Sequence, residues 1–283
     1  MRISSQDDLM TRLLVPASKP RSQPKNPSPR AKAEASRLEA LKALRHWGHL
    51  RACDLSRILW PHTRYGEQMA QRLLRRMEQD KGDVVARTNA FGTRSFVLTR
   101  KGAAALDALN LDAHHGLELC SVGGATFIHR TLGTAFGIAK QAQGFDAYGE
   151  HAIAQGLAPA RRDALVKRFK KLPDLLLVRG DQVTWVEVEA SAKPLRELQA
   201  CVHIASAVGH PLVPGSSMTL VGLAFAFDAS QGHSQRIVRA ARQQWSDKSA
   251  AERRALSGRV SLAHLELRPF VRWEGVREHA LAL

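Results

Sequence analysis

The chain has 283 residues, 44% of them hydrophobic, and a formal net charge of +16. That length suits two domains of ordinary size, and the charge points to a polyanionic partner. No apolar run approaches the about 18 residues of a membrane span, and no basic amphipathic segment sits beside an apolar anchor, so a membrane partner is not expected. Cys53, Cys120 and Cys201 are odd in number and lack CxxC spacing. A disulfide framework and a zinc site are therefore not expected, and a cytoplasmic, reducing setting fits. Asp7 and Asp8 stand where a secretion signal carries its apolar core.

Residues 1–34 read as a disordered basic tail. Pro16, Pro20, Pro24, Pro27 and Pro29 interrupt any helix, and Arg21, Lys25, Arg30 and Lys32 repel one another. A basic arm on DNA and a plain linker are both compatible with this composition. From Ala35 the pattern tightens. Leu38, Leu41, Leu44 and Trp47 recur at helical spacing, and Gly48 ends the run. A second short helix carries Leu50, Cys53, Leu55, Ile58 and Leu59, with Pro61 as its stop. A third spans Arg64 to Gln79. Met69, Leu73, Leu74 and Met77 are expected to face inward on it, and Gln68, Gln71, Arg72, Arg75 and Arg76 outward. Two strands follow, Val84 to Thr88 and Ser95 to Leu98, joined through Asn89-Ala-Phe-Gly92. Thr99 caps a closing helix to Leu109.

This order, three helices, a hairpin and a closing helix over residues 35–110, resembles the winged helix-turn-helix superfamily. The resemblance implies a third helix in the major groove of double-stranded DNA, where Arg and Gln reach guanine and adenine edges. Arg87 and Arg94 would stand on the wing, against phosphate or the minor groove. A winged helix used only for protein contacts is the rival reading. Residues 111–125 read as a linker, with His114 and His115 in a solvent-exposed loop.

Residues 126–283 read as an α/β unit. A helix is expected from Phe127 to Gln143, its small residues Gly133, Ala135, Gly137 and Ala139 packing on a sheet. The passage from Lys171 to Glu189 contains two strands around a tight Arg-Gly-Asp-Gln turn. Asp174 starts the first strand, and Glu187 and Glu189 end the second. Residues two apart share a face of a strand, so three carboxylates should meet at one end of this hairpin. Carboxylates so close need a cation or a shared proton. A hard cation such as Mg²⁺ takes oxygen ligands of this kind and activates water.

The passage resembles the PD-(D/E)xK nuclease superfamily over about residues 126–227. Pro173-Asp174 matches its Pro-Asp element, and Glu187-Val188-Glu189 stands where the family has Asp/Glu-x-Lys. The resemblance implies Asp174 and Glu187 as ligands of Mg²⁺, with Mn²⁺ as a substitute. Glu189 occupies the lysine position, as in some restriction-type members. In other members the lysine lies on the following helix, which implies the role for Lys193. Glu150 is the candidate for the upstream acidic residue. The whole arrangement is similar to the replication-relaxation family of plasmids and integrative mobile elements. That implies DNA processing, replication or transfer, beside a relaxase or replication protein. A non-catalytic accessory factor or transcriptional regulator with a degenerate nuclease fold is the alternative.

Further on, a helix from Pro194 to Val208, a strand from Met218 to Phe227, a helix from Ser234 to Trp245 and a strand from Val260 to Leu267 are expected. Arg236, Arg239 and Arg242 form a stripe that tracks DNA or faces solvent. His129, His151, His203 and His210 are scattered and read as core or surface residues. The last sixteen residues carry no signal.

Overall fold

The computed structural model describes residues 28–88, 93–121, 124–230, 232–268 and 272–283. Most of the expected tail and the whole turn at residues 89–92 lie outside the described residues. Helix α1 (Pro29–Trp47) starts earlier than the expected boundary at Ala35. Pro29 sits in its first turn, where a missing N–H leaves nothing unpaired. The Ser28 hydroxyl accepts the Ala31 N–H and caps the helix. Gly48, at φ 78°, ends it while its N–H bonds the Leu44 carbonyl.

Helices α2 (Ala52–Leu59) and α3 (Gly66–Arg76) pack on α1 through Leu55, Ala70, Leu74 and Met77. Met69 is 38% exposed and does not face inward as expected. The buried stripe of α3 runs through Ala70, Leu74 and Met77 at helical spacing, and Met69 falls beside it. A π turn at Met77–Lys81 closes this segment. Strands β2 (Val84–Thr88) and β3 (Arg94–Leu98) pair antiparallel, and β1 (His49–Leu50) adds to the other edge of β3. Helix α4 (Arg100–Asp107) follows, and the Gly102 N–H donates to the Thr99 hydroxyl at its cap.

The second region is mixed α/β. Helix α5 (Gly124–Ala142) precedes β4 (Asp146–Gly149), α6 (Glu150–Ala154), α7 (Arg162–Phe169), β5 (Leu175–Arg179) and β6 (Gln182–Glu189). Then come α8 (Leu195–His203), β7 (Thr219–Asp228), α9 (His233–Gln244), α10 (Ala250–Ser257), β8 (Val260–Arg268) and β9 (Arg272–Ala280). The described strands form a six-stranded sheet in the order β4-β5-β6-β7-β8-β9. β4, β5 and β6 are antiparallel neighbours, β6, β7 and β8 run parallel, and β9 returns antiparallel. Both parallel steps are bridged by helices, as a parallel crossover needs a long connection, and α6 and α7 also lie between the antiparallel neighbours β4 and β5.

Strand β5 is apolar on both faces because both faces are covered. Leu175 and Leu177 join α5 and the N-terminal helices in one apolar cluster. Leu176 and Val178 join Trp185, α8 and α9 in another. The first cluster runs without a break from α1 into the sheet. Trp47 lies so close to α5 that a Cβ on Gly137 would stand 2.3 Å from its ring. No helix among the described residues is long and apolar enough to cross a membrane.

Candidate functional site

On α3 the side chains of Gln68, Gln71, Arg72, Arg75 and Arg76 are all exposed. Helical spacing puts them opposite the stripe that Ala70 and Leu74 bury. Gln71 approaches Glu67 at 3.4 Å. Arg87 is exposed on β2. Arg94, on β3, is exposed but engaged. It donates to Glu78 at 2.8 Å and lies over the Phe96 ring at 5.2 Å. Five polar side chains of α3 therefore stand on one face of a helix, beside a hairpin that carries two further arginines.

The β5–β6 hairpin builds a second site, and it is buried. Leu175 pairs with Val186, which sets Asp174 beside the Glu187 end of β6. Trp185, Glu187 and Glu189 point to the α8 side by strand alternation, and both glutamates are sealed from solvent. Glu187 Oε1 accepts from Trp185 Nε1 at 2.7 Å, and its Oε2 accepts a close hydrogen bond from Lys171. Cys201 Sγ, on α8, is 3.5 Å from the same oxygen and 3.0 Å from Lys171 Nζ. Glu189 accepts from Lys193 Nζ at 2.8 Å, and the same ammonium stands 3.9 Å from Glu187. Lys193 is anchored in turn, since its amine bonds the Val188 carbonyl and its own carbonyl accepts from Arg236.

Asp174 turns the other way. Its Oδ2 accepts the Val188 N–H at 2.7 Å, and its Oδ1 is 3.1 Å from His129 Nε2 on α5. With His129 it lines a narrow cleft that also holds His49, Arg130, Glu150 and His151. Glu150 has its N–H on the Asp174 carbonyl and its carboxylate 3.4 Å from Arg130 Nη2. The acidic ligand atoms that gather within 4.8 Å of one another belong to Glu187, Glu189 and Cys201, and Asp174 is not among them. The three hairpin carboxylates thus occupy two faces of the sheet.

The protonation behaviour follows these surroundings. Burial pushes the Glu187 carboxyl up, and the Asp174 charge adds to it against the pull of Lys171. Burial likewise raises Glu189, opposed by Lys193. Burial works to raise Asp174 too, but the His129 hydrogen bond and charge outweigh it and hold the carboxyl below its ordinary value. His129 is raised in return, its bond to Asp174 overcoming the burial that would lower it. Burial drives Cys201 up to about 12, so it stays a thiol. His49 and His151 are lowered to about 4 by burial and are neutral near pH 7.

Lys193 stands within reach of both glutamates, but on the segment before α8 and not on the helix where the migrated-lysine reading looked for it. Lys171, His129 and Cys201 take part in the site, although sequence reasoning gave them no role. A lysine three residues before Asp174 was the one available signal. His129 and Cys201 reach the hairpin only through the packing of α5 and α8. No protein-family model matches the chain, and neither the curated proteins nor the solved structures compared with it include a match.

Proposed function

We propose that the protein binds double-stranded DNA through α3 and the neighbouring hairpin. The observation that carries this reading is the run of five exposed Arg and Gln side chains on one face of α3. Arginine and glutamine at the groove-facing side of a helix can pair with guanine and adenine edges. Phosphate neutralisation by a chain of charge +16 supplies the sequence-independent part of the affinity. The helix–helix–helix–hairpin–helix order supports reading this region as a winged helix. The sequence α5, β4, α6, α7, β5, β6, α8, β7 supports reading this region as a nuclease-like core with two helices inserted between its first two strands.

In this reading the second region is a nuclease-like fold serving as a non-catalytic accessory in replication or transfer of a mobile element. The protein acts in the cytoplasm, beside a relaxase or replication protein. Two observations favour this role. Each buried glutamate already has an ammonium partner, so the cluster is charge-balanced by the chain's own lysines. The donor set also suits Mg²⁺ poorly, because Cys201 is a soft ligand and both Asp174 oxygens are engaged by the protein.

One observation favours a Mg²⁺-dependent endonuclease instead. Lys193 sits 2.8 Å from Glu189, just before α8, close to where a lysine moved onto the following helix would stand. Incubation of supercoiled and linear DNA with the protein and Mg²⁺ or Mn²⁺ separates the two. The accessory role predicts binding without nicking. Nicking that disappears in Glu187→Gln, Glu189→Gln or Asp174→Ala establishes the enzyme. Absence of duplex binding at moderate salt overturns both.

A further inference from the structure

The cleft on the α5 side of the sheet contains groups that the glutamate–lysine cluster does not use. Asp174 fixes His129 through Nε2, and among the described residues no partner meets Nδ1 of that ring. Arg130, the next residue on α5, reaches Glu150 through Nη2. Its Nε is buried without a hydrogen-bond acceptor among the described residues. A buried guanidinium nitrogen left unpaired is costly, and such groups commonly await a water, an ion or a ligand. His49 and His151 line the same cleft as neutral rings, so they add donors and acceptors without charge. The walls come from both regions of the chain, with His49 on β1 and the remaining groups on α5, α6 and the start of β5.

We propose that this cleft holds a phosphodiester group of nucleic acid, contacted by His129 Nδ1 and by the Arg130 guanidinium. Asp174 is then a positioning residue for His129, not a metal ligand. Guanidinium groups match phosphate oxygens in geometry as well as charge. The carboxylate–imidazole pair fixes which ring nitrogen faces the ligand, because the bond at Nε2 sets the orientation of the ring. The cleft is narrow, so non-bridging oxygens enter it while the sugar–phosphate chain lies across the mouth. There Glu150 is half exposed and presents Arg130. This inference rests on the proposal that the chain binds nucleic acid. It assigns a second contact, separate from α3.

The test uses the full chain and follows the His129 ring resonances by NMR, assigned with a His129→Gln variant. The probe is the dinucleotide dTpdT, with its uncharged methylphosphonate analogue as the control. The expected result is a saturable shift of His129 with dTpdT and none with the analogue. Arg130→Gln should weaken the apparent affinity at least tenfold. Asp174→Asn should reduce the His129 shift. If a duplex binds, as read by anisotropy in the same sample, yet neither it nor dTpdT moves His129, the inference is wrong and DNA binding stands. If dTpdT moves His129 but no duplex binds, the cleft is a phosphodiester site and the α3 reading is what fails. An equal shift with the methylphosphonate rules out recognition of the phosphate charge.

Discussion

The charges on α3 and the charges at the end of β6 obey opposite rules. Arg72, Arg75 and Arg76 stand in water, and among the described residues no carboxylate pairs with them, so their interactions remain available to a ligand. Glu187 and Glu189 are withdrawn from water and have spent their interactions inside the chain. An exposed charge contributes little to stability and much to association. A buried one governs stability, since removing its counter-ion leaves an uncompensated charge in a poor solvent. Charged side chains are therefore left free at the surface in one region and built into the architecture in the other.

The largest expected effect tests the buried side. Lys171→Met should destabilise the fold by about 3–5 kcal/mol in urea unfolding, because Glu187 cannot follow its lost partner into solvent. Glu187→Gln should cost less. The Lys171 side chain is 33% exposed, so its ammonium can turn to water. Equal costs for the two variants would show that the pair is not as asymmetrically buried as described.

Acid should act next, by placing a charge where the fold holds a neutral ring. His49 titrates at about 4 in the fold and near 6.5 when unfolded, so the unfolded chain takes up the proton first. The stability this group contributes is fully present above pH 6.5 and is lost as pH falls toward 4. The slope is up to about 1.4 kcal/mol per pH unit. His151 acts in the same direction and over the same window. Urea midpoints at pH 7 and pH 5 should differ accordingly, and His49→Gln should flatten the difference. A His49→Gln profile as steep as that of the parent protein would remove His49 as the cause.

The smallest effect on folding belongs to α3. Arg72→Ala with Arg75→Ala should leave the urea midpoint within about 0.5 kcal/mol of the parent, as exposed substitutions do. A larger loss would mean that these side chains hold the fold and are not free for a partner.

The same contrast explains what the sequence made legible. The α3 face was readable because burial of Ala70, Leu74 and Met77 leaves a 3.6-residue period, and Met69 was misplaced by one step around it. The β5–β6 hairpin was readable because its apolar runs flank a tight turn. Lys193 was readable because it follows Glu189 closely. His129 was not, since its bond to Asp174 depends on α5 lying across the end of the hairpin. Helix α7 buries only Leu165 and α10 buries none of its residues, so neither carries an apolar period. Helix α10 did carry a local signal in the reciprocal Ser249–Glu252 cap, which marks a helix start. Strand β9 is an edge rich in charge, a composition that protects an edge from pairing and also conceals it.

The central claim is that α3 is a DNA-contacting surface. Its most direct measurement is the anisotropy of a labelled duplex titrated with the parent protein and with Arg72→Ala/Arg75→Ala at several salt concentrations. The account predicts at least a tenfold loss of affinity at moderate salt. The slope of log K against log salt should fall by up to about 1.8 in magnitude if both arginines neutralise phosphates. Unchanged affinity and an unchanged slope would contradict it.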